Sequence, residues 1–184
     1  MEEEPLHKMV LKNDYVEIMH VKIPPGKNSL WHTHSNPRMA VFLSDSTVRE
    51  DLPGGEPVRE RVTHTGVIST PESAKYPFTH RIGNVGGTAF EVIDIEILKH
   101  SGVLKARPAK WELAPGASSS MHTHAGHYLI IAATPMQLLM KGPEGASMEH
   151  PVKAGDFHWV DSSVTHMLTN KGQKPGIIVE VEIR

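Results

Sequence analysis

The sequence contains no cysteine, which excludes disulfides, thiolate nucleophiles and thiolate metal sites. It also lacks any apolar run near the ~20 residues needed to span a bilayer. Its first residues, Met-Glu-Glu-Glu-Pro, have neither the positive charge nor the apolar core of a secretory signal, so we expect a cytoplasmic protein. Neither sign of charge is in excess, because 19 Lys and Arg stand against 21 Asp and Glu. This near balance argues against nucleic acid or an anionic membrane as a partner.

Several nucleotide and hydrolase motifs are also missing. There is no Gly-rich phosphate loop with Lys-Ser/Thr and no Gly-x-Ser-x-Gly nucleophile turn. Aromatic residues are few, with 3 Trp, 3 Tyr and 4 Phe, whereas histidine occurs 13 times. Histidine is therefore the residue type on which we base a prediction of chemistry.

Short apolar runs separated by Gly and Pro predict an all-β protein. Strands are expected over 15–23, 39–43, 89–98 and 177–183. In the last two, apolar and acidic residues alternate, which is typical of a strand with one buried face. The 14 Pro and 15 Gly are spread along the chain and disfavour long helices. Many short strands with frequent turns favour a sandwich, jelly roll or barrel.

Three blocks of sequence occur twice in the same order: Pro-Gly-x5-His-Thr-His, His-x3-Asn and an apolar–acidic strand. The copies lie at 25–34 and 115–124, at 80–84 and 166–170, and at 92–97 and 178–183. Internal repeats indicate duplicated structural units. We therefore predict a first domain of residues 1–100 and a second of 101–184, joined near 99–102.

The histidines of these blocks are spaced for a metal ion. In a strand, residues i and i+2 point to the same face, so each His-Thr-His projects two imidazoles side by side. A neighbouring strand could bring the histidine of the His-x3-Asn segment to the same side. Three neutral imidazoles with free coordination positions are typical of catalytic metal sites; the alternative is solvated or hydrogen-bonded histidines. The predicted ligands are His32, His34 and His80 in the first copy and His122, His124 and His166 in the second.

This pattern resembles the two sequence motifs of the cupin superfamily, over nearly the whole chain. The resemblance implies two tandem cupin barrels of the double-stranded β-helix or jelly-roll type, a bicupin. Gly155 precedes His166 by eleven residues, as the second motif requires, whereas the first copy has Ser69 at the corresponding position. The resemblance does not fix a reaction, because cupins include dioxygenases, decarboxylases, isomerases, epimerases, sugar-binding regulators and storage proteins.

The chain departs from the family at the glutamate of the first motif. Arg38 and Tyr128 stand there, so we expect no carboxylate ligand in either copy. A divalent metal held by three neutral imidazoles keeps its full charge and favours an anionic ligand. Cupins with three-histidine iron that this arrangement resembles include the cysteine, gentisate and diketone dioxygenases.

Arg38 and Tyr128 are the candidate catalytic residues. If Arg38 points inward, its permanent charge opposes a cation or anchors an anionic substrate; the alternative is a bulge that turns it outward. Tyr128 could donate a hydrogen bond to substrate or to metal-bound oxygen, or act as a weak acid. Its alternative is a half-buried strand tyrosine whose hydroxyl reaches solvent. We therefore expect the second copy to hold the working metal site and the first to have diverged.

The predicted function is a metal-dependent, dioxygenase-like enzyme acting on a small anionic or oxygen-rich molecule. Fe(II) is the first expectation, and Zn, Mn or Ni are alternatives. A non-catalytic small-molecule binding or sensing barrel remains open, as does a Zn, Mn or Ni lyase or isomerase. Outer faces of cupin sheets often pair, so the resemblance also implies a homodimer.

The remaining candidates have less support. His127 becomes a fourth ligand only if a bulge turns it inward, and His158 lines the pocket or packs at a sheet edge. Asn84 and Asn170 match the motif asparagine and are expected to hydrogen-bond turns rather than to act in catalysis. Five histidines without ligand spacing are expected on the surface: His7, His20, His64, His100 and His150.

Overall fold

The computed structural model describes residues 4–55, 59–70, 76–98 and 106–183. The chain divides into two compact units, Met1–Leu104 and Lys105–Arg184. The junction predicted near 99–102 lies outside the described residues, so the predicted limits 1–100 and 101–184 stay a prediction. Within the described ranges, no helix has the length and apolar character needed to cross a membrane.

The first domain consists of two antiparallel sheets. Its strands are β1 (His7–Lys12), β2 (Val16–Ile23), β3 (His32–His34), β4 (Arg38–Phe42), β5 (Ser46–Asp51), β6 (Arg59–Thr63), β7 (Ile68–Ser69), β8 (Phe78–Asn84) and β9 (Phe90–Ile97). One sheet has the order β1-β2-β9-β4-β7 and the other β3-β8-β5-β6. A 3₁₀ turn at Pro53–Gly55 follows β5.

The second domain repeats this plan. Its strands are β10 (Ala106–Leu113), β11 (His122–His124), β12 (His127–Ala132), β13 (Met136–Lys141), β14 (Ser147–Val152), β15 (Phe157–Val160), β16 (Val164–Asn170) and β17 (Gly176–Ile183). The orders β10-β17-β12-β15 and β11-β16-β13-β14 match the first domain without its β1. The predicted all-β class and the predicted duplication into two domains of paired antiparallel sheets are confirmed.

The glycine of the repeated Pro-Gly pair adopts a positive φ angle in both domains. Gly26 and Gly116 have φ angles of 71° and 78°, values that residues with a side chain rarely adopt. Each glycine lies in the turn that follows β2 or β10, before the strand that carries His-Thr-His. The turn thus places the paired histidines on the second sheet of their domain.

The prediction of one buried face is wrong for β9 and β17. All but one residue of each strand is buried, and each lies in the interior of its sheet. The acidic residues of these strands are therefore buried rather than solvated: Asp94, Glu96, Glu180 and Glu182. Buried carboxylates require hydrogen bonds or charged partners, and these partners define the sites described below.

Asn84 and Asn170 hold equivalent turns, as the sequence predicts. The Asn170 side-chain amide donates to the carbonyls of Leu113 (2.9 Å) and Lys174 (2.7 Å), and its oxygen accepts from the Gly172 amide (2.8 Å). Asn84 makes the corresponding bonds in the first domain. Each asparagine therefore ties its strand to β2 or β10 and to the turn that follows.

Replacement of Asn170 by Ala is expected to lower the free energy of unfolding by about 3–5 kcal/mol. The change removes three hydrogen bonds between a fully buried side chain and backbone groups, and loss of each such bond costs roughly 1–1.5 kcal/mol. Urea unfolding measures the loss. Gln173→Ala, at an exposed position of the same turn, is the control; an equal effect in both variants would contradict the role given to Asn170.

Candidate metal centres

Strand pairing brings three histidines together in the second domain. His122 and His124 share one face of β11, and β16 pairs with β11 so that His166 lies opposite His122. Their ring centroids are 4.6–5.2 Å apart. The Nδ1 atom of His122 donates to the Ser120 carbonyl at 2.9 Å, which directs its Nε2 atom towards the cluster.

Glu180 of β17 is the fourth member of this cluster. Its Oε2 lies 2.8 Å from Nε2 of His122, and its Oε1 lies 2.8 Å from Nε2 of His166 and 3.2 Å from Nε2 of His124. One potential ligand atom from each of the four residues falls within 4.8 Å of the others. Three imidazoles and a carboxylate form a nitrogen–oxygen donor set that suits a divalent transition metal.

The carboxylate of Glu180 is ionised in this setting. Burial by itself raises the pKa of Glu180, but hydrogen bonds from His166 and Trp111 and the neighbouring imidazoles outweigh it and lower the pKa to about 2. The indole Nε1 of Trp111 donates to Glu180 Oε2 at 2.6 Å. Burial also lowers the pKa of His124, which favours the neutral imidazole that a metal requires.

The second cluster includes a carboxylate that the motif slots do not predict, and this residue, Glu180, is a candidate ligand. The family motif assigns its carboxylate to the slot held by Tyr128, whereas Glu180 comes from the last strand, which pairs with β10 and β12. Its signal in the sequence is the acidic residue at position 180, which alternation predicts to face solvent. With Glu180 present, the second cluster offers a carboxylate donor beside its three imidazoles.

Tyr128 is buried beside the cluster. It is 1 % exposed, and its ring stacks on His124 with centroids 4.1 Å apart and planes at 12°. Burial, with a further contribution from the charge of Glu180, raises the pKa of Tyr128 to about 12. The alternative of a half-buried tyrosine with its hydroxyl in solvent is therefore wrong.

The first domain brings its own three histidines together. His80 lies opposite His32 in the pairing of β3 with β8, and Nε2 of His34 lies 3.0 Å from Nε2 of His80. Each Nδ1 atom has an acceptor: the Leu30 carbonyl for His32 at 3.0 Å, Glu96 for His34 at 2.9 Å and Glu50 for His80 at 2.7 Å. Such acceptors fix the tautomer and direct the other nitrogen inward, as at metal-binding histidines.

In the first domain the residue equivalent to Glu180 is Asp94, and its carboxylate is paired with an arginine. Arg38 points inward and its guanidinium donates to the Asp94 carboxylate. Burial alone raises the pKa of Asp94, but Arg38 and nearby histidines outweigh it and the pKa is lowered. Asp94 therefore neutralises Arg38 rather than completing a ligand set. Among the residues that the structure describes, this cluster consists of His32, His34 and His80 without a carboxylate.

His7 was expected on the surface, and that prediction is wrong. The side chain of His7 is 4 % exposed and its ring centroid lies 4.5 Å from that of His32. It comes from β1, the strand that has no counterpart in the described part of the second domain, and it pairs with Val21 of β2. Sequence spacing could not identify it because β1 lies outside the repeat.

Stability of the metal-free protein is expected to fall on acidification because of these buried imidazoles. Burial is the main cause that lowers the pKa of His7 to about 3 and of His80 to about 4, from 6.5. Below pH 6.5 the unfolded chain therefore binds protons that the folded protein does not, so the free energy of unfolding decreases from about pH 6.5 towards pH 4. Each group contributes a slope of up to about 1.4 kcal/mol per pH unit.

Urea unfolding between about pH 5 and pH 7 measures this slope. In the His7→Leu variant this slope is expected to be smaller by the contribution of one imidazole, up to about 1.4 kcal/mol per pH unit. His64→Leu, at an exposed histidine, controls for the removal of an imidazole from the surface. A slope that is the same in wild type and His7→Leu would contradict the assignment.

The weaker candidates lie outside both clusters. His127 stacks on Trp159 with centroids 5.8 Å apart, and it is not a member of the second-domain cluster. His158 is exposed on β15 and lines the cavity of its domain. Met140 also lines this cavity.

The interiors of the two domains differ in free volume. A cavity of about 770 Å³ lies in the second domain, with Tyr128 in its wall. The cavity beside the first cluster measures about 30 Å³ and has Arg38 and the three histidines in its wall. That volume admits a water molecule or two. As far as the described residues show, the second cluster thus lies beside space for an organic ligand, whereas the cavity beside the first does not have room for one.

Sequence comparison finds a curated relative over part of the chain. No family model matches the chain. The β-alanine degradation protein BauB of Pseudomonas aeruginosa is 32 % identical over 75 residues, which cover 41 % of this chain and 78 % of BauB.

Solved structures that are similar to most or all of the chain include the following two. AerE from Microcystis aeruginosa covers 100 % of both chains at 13 % identity, with a TM-score of 0.63. A deletion mutant of the Bacillus subtilis oxalate decarboxylase OxdC covers 93 % of this chain and 69 % of its own at 12 % identity, with a TM-score of 0.65. At these identities the structures show the fold alone. Together with the duplicated sheets and histidine motifs, the comparisons establish that this chain belongs to the cupin superfamily and is a bicupin.

Proposed function

We propose that the second domain binds a divalent metal ion through His122, His124, His166 and Glu180 and is the catalytic centre of a metal-dependent enzyme. The observation that carries the proposal is the buried Glu180 carboxylate, placed within 3.2 Å of all three Nε2 atoms. Fe(II) with dioxygenase-like chemistry is our first expectation, and Zn, Mn and Ni suit the same donors.

Charge supports an anionic substrate. A divalent ion with one carboxylate ligand retains a net positive charge in a buried site, where charges interact strongly. BauB is named for degradation of β-alanine and the decarboxylase for oxalate, and both compounds carry a carboxylate. We therefore propose that the substrate of this chain presents a carboxylate or a comparable oxygen anion.

The surrounding residues hold the site in one arrangement. The Ser120 carbonyl fixes the orientation of His122, the Trp111 indole holds Glu180, and the Tyr128 ring packs on His124. Tyr128 also lines the adjoining cavity, and we propose that its hydroxyl donates a hydrogen bond to a substrate oxygen. A bound metal would supply Lewis-acid polarisation of that oxygen and, as Fe(II), electrons for a reaction with O2.

The first-domain cluster is proposed to have a lesser role. No carboxylate from the described part of the first domain joins the three histidines, and Arg38 places a permanent charge beside them. Both features weaken the binding of a cation relative to the second domain. We expect this site to contribute little to metal content.

Metal content of anaerobically purified protein tests the proposal. Wild type and His32→Ala are expected to contain about one metal ion per chain, and His122→Ala to contain almost none. Absence of metal from wild type after reloading, or loss only in His32→Ala, would contradict it. Oxygen uptake with candidate acids then separates an oxygenase from an anaerobic lyase or isomerase, while binding without turnover would indicate a sensing or storage barrel.

A further inference from the structure

The cavity of the second domain lies between its two sheets and has a mostly apolar wall. Its volume of about 770 Å³ is within the 300–1,000 Å³ of typical small-molecule sites. β12, β15 and β17 contribute to it from one sheet, and β13, β14 and β16 from the other. Apolar members of the wall include Ile130, Leu138, Met140, Val152, Phe157 and Val160.

This cavity is separated from the proposed metal site by the thickness of one side chain. Tyr128 lines the cavity on one side and stacks on His124 on the other. Val164 also lines it and is the cross-strand partner of His124. Ile130 of the wall pairs in register with Glu180. A molecule bound to the metal could therefore extend directly between the sheets.

The first domain shows which residues create this space. Ala132 pairs with Ile178 in the second domain, and its counterpart Phe42 pairs with Val92 in the first. The ring of Phe42 lies 5.9 Å from that of Phe90 and beneath the Arg61 guanidinium. These side chains fill the first barrel and leave about 30 Å³, whereas Ala132 leaves the corresponding wall open.

We propose that the substrate is a monocarboxylic acid with an extended apolar chain or ring, whose carboxylate binds at the second-domain metal and whose apolar part fills this cavity. The inference rests on the proposed function for its head group. A very small acid such as oxalate or β-alanine would leave most of the apolar wall against water. An apolar body removes that wall from water, and each buried methylene strengthens binding by a factor of about four.

Calorimetric titration of the metal-loaded protein with acetate, hexanoate and decanoate tests this assignment, with oxalate as the short dianion. Affinity is expected to rise about fourfold per methylene from acetate to hexanoate, and decanoate is expected to bind more tightly than hexanoate. Ala132→Phe restores the aromatic residue of the first domain and is expected to abolish the gain with chain length. Its metal content and its affinity for acetate are expected to stay unchanged. Phe42→Ala, the matched change in the first barrel, is expected to leave the whole series unchanged.

The outcomes separate this inference from the proposed function. Equal affinities along the series in metal-loaded wild type would overturn the inference, whether or not Ala132→Phe folds, and would leave the metal site standing. Tighter binding of oxalate than of decanoate would overturn it too. A rise with chain length in a protein that binds no metal would overturn the proposed function and the head-group part of the inference together.

Discussion

Replacement of Glu180 by Gln is expected to remove the metal from the second domain. Glutamine keeps the shape of the side chain but loses the charge that offsets the cation, and its amide nitrogen cannot act as a ligand. Removal of a group that merely orients a metal-binding histidine costs roughly 10–100-fold in affinity. Because Glu180 itself lies within 3.2 Å of three Nε2 atoms, we expect a loss larger than 100-fold.

Competition with a chelator of known affinity measures this loss. Glu149→Gln is the matched control, since Glu149 is an exposed carboxylate of the same domain that accepts a hydrogen bond from Gln137. This control is expected to keep wild-type affinity. Metal binding by Glu180→Gln within a few-fold of wild type would show that the three imidazoles suffice and that the carboxylate has another role.

The second large effect is expected from Tyr128→Arg, which gives the second domain the residue that the first domain has at this position. In the first domain, Arg38 at the equivalent position pairs with Asp94. The introduced guanidinium is therefore expected to pair with Glu180 and to place a positive charge near the metal. Two unit charges about 5 Å apart repel by roughly 3 kcal/mol at an effective dielectric constant of 20, and the doubly charged metal at least doubles this.

Metal content and chelator competition again provide the measurement. A loss of more than 100-fold in affinity is expected for Tyr128→Arg. Tyr128→Phe keeps the ring that stacks on His124 and is expected to retain the metal, while losing activity if the hydroxyl contacts substrate. Wild-type metal content in Tyr128→Arg would show that the residue at this position does not account for the difference between the domains.

Much of the fold could be predicted because its signals are local in sequence. Strands predicted over 15–23, 39–43 and 89–98 correspond to β2, β4 and β9, and their patterns depend on neighbouring residues alone. The histidine pairs follow in the same way, because i and i+2 share a strand face. The third histidine of each cluster could be proposed from the repeat, without knowledge of the strand pairing.

The environment of the clusters could not be predicted in that way. Glu180 and Arg38 act through their distance to residues on other strands, and alternation alone cannot tell an acidic residue facing solvent from one buried in the interior of a sheet. His7 reaches the first cluster on a strand outside the repeat. The difference in cavity volume depends on side chains from both sheets of each barrel.

The sequence by itself determined the all-β class, the duplication and the six histidines, because each depends on local periodicity or on repeated spacing. Only the tertiary structure decided that the two clusters differ in kind. The register of β17 against β10 and β12 places the Glu180 carboxylate among the second set of imidazoles. In the first domain the same position is neutralised by an arginine, and the packing of Phe42 and Phe90 fills the barrel. Both differences arise from contacts between residues far apart in the chain.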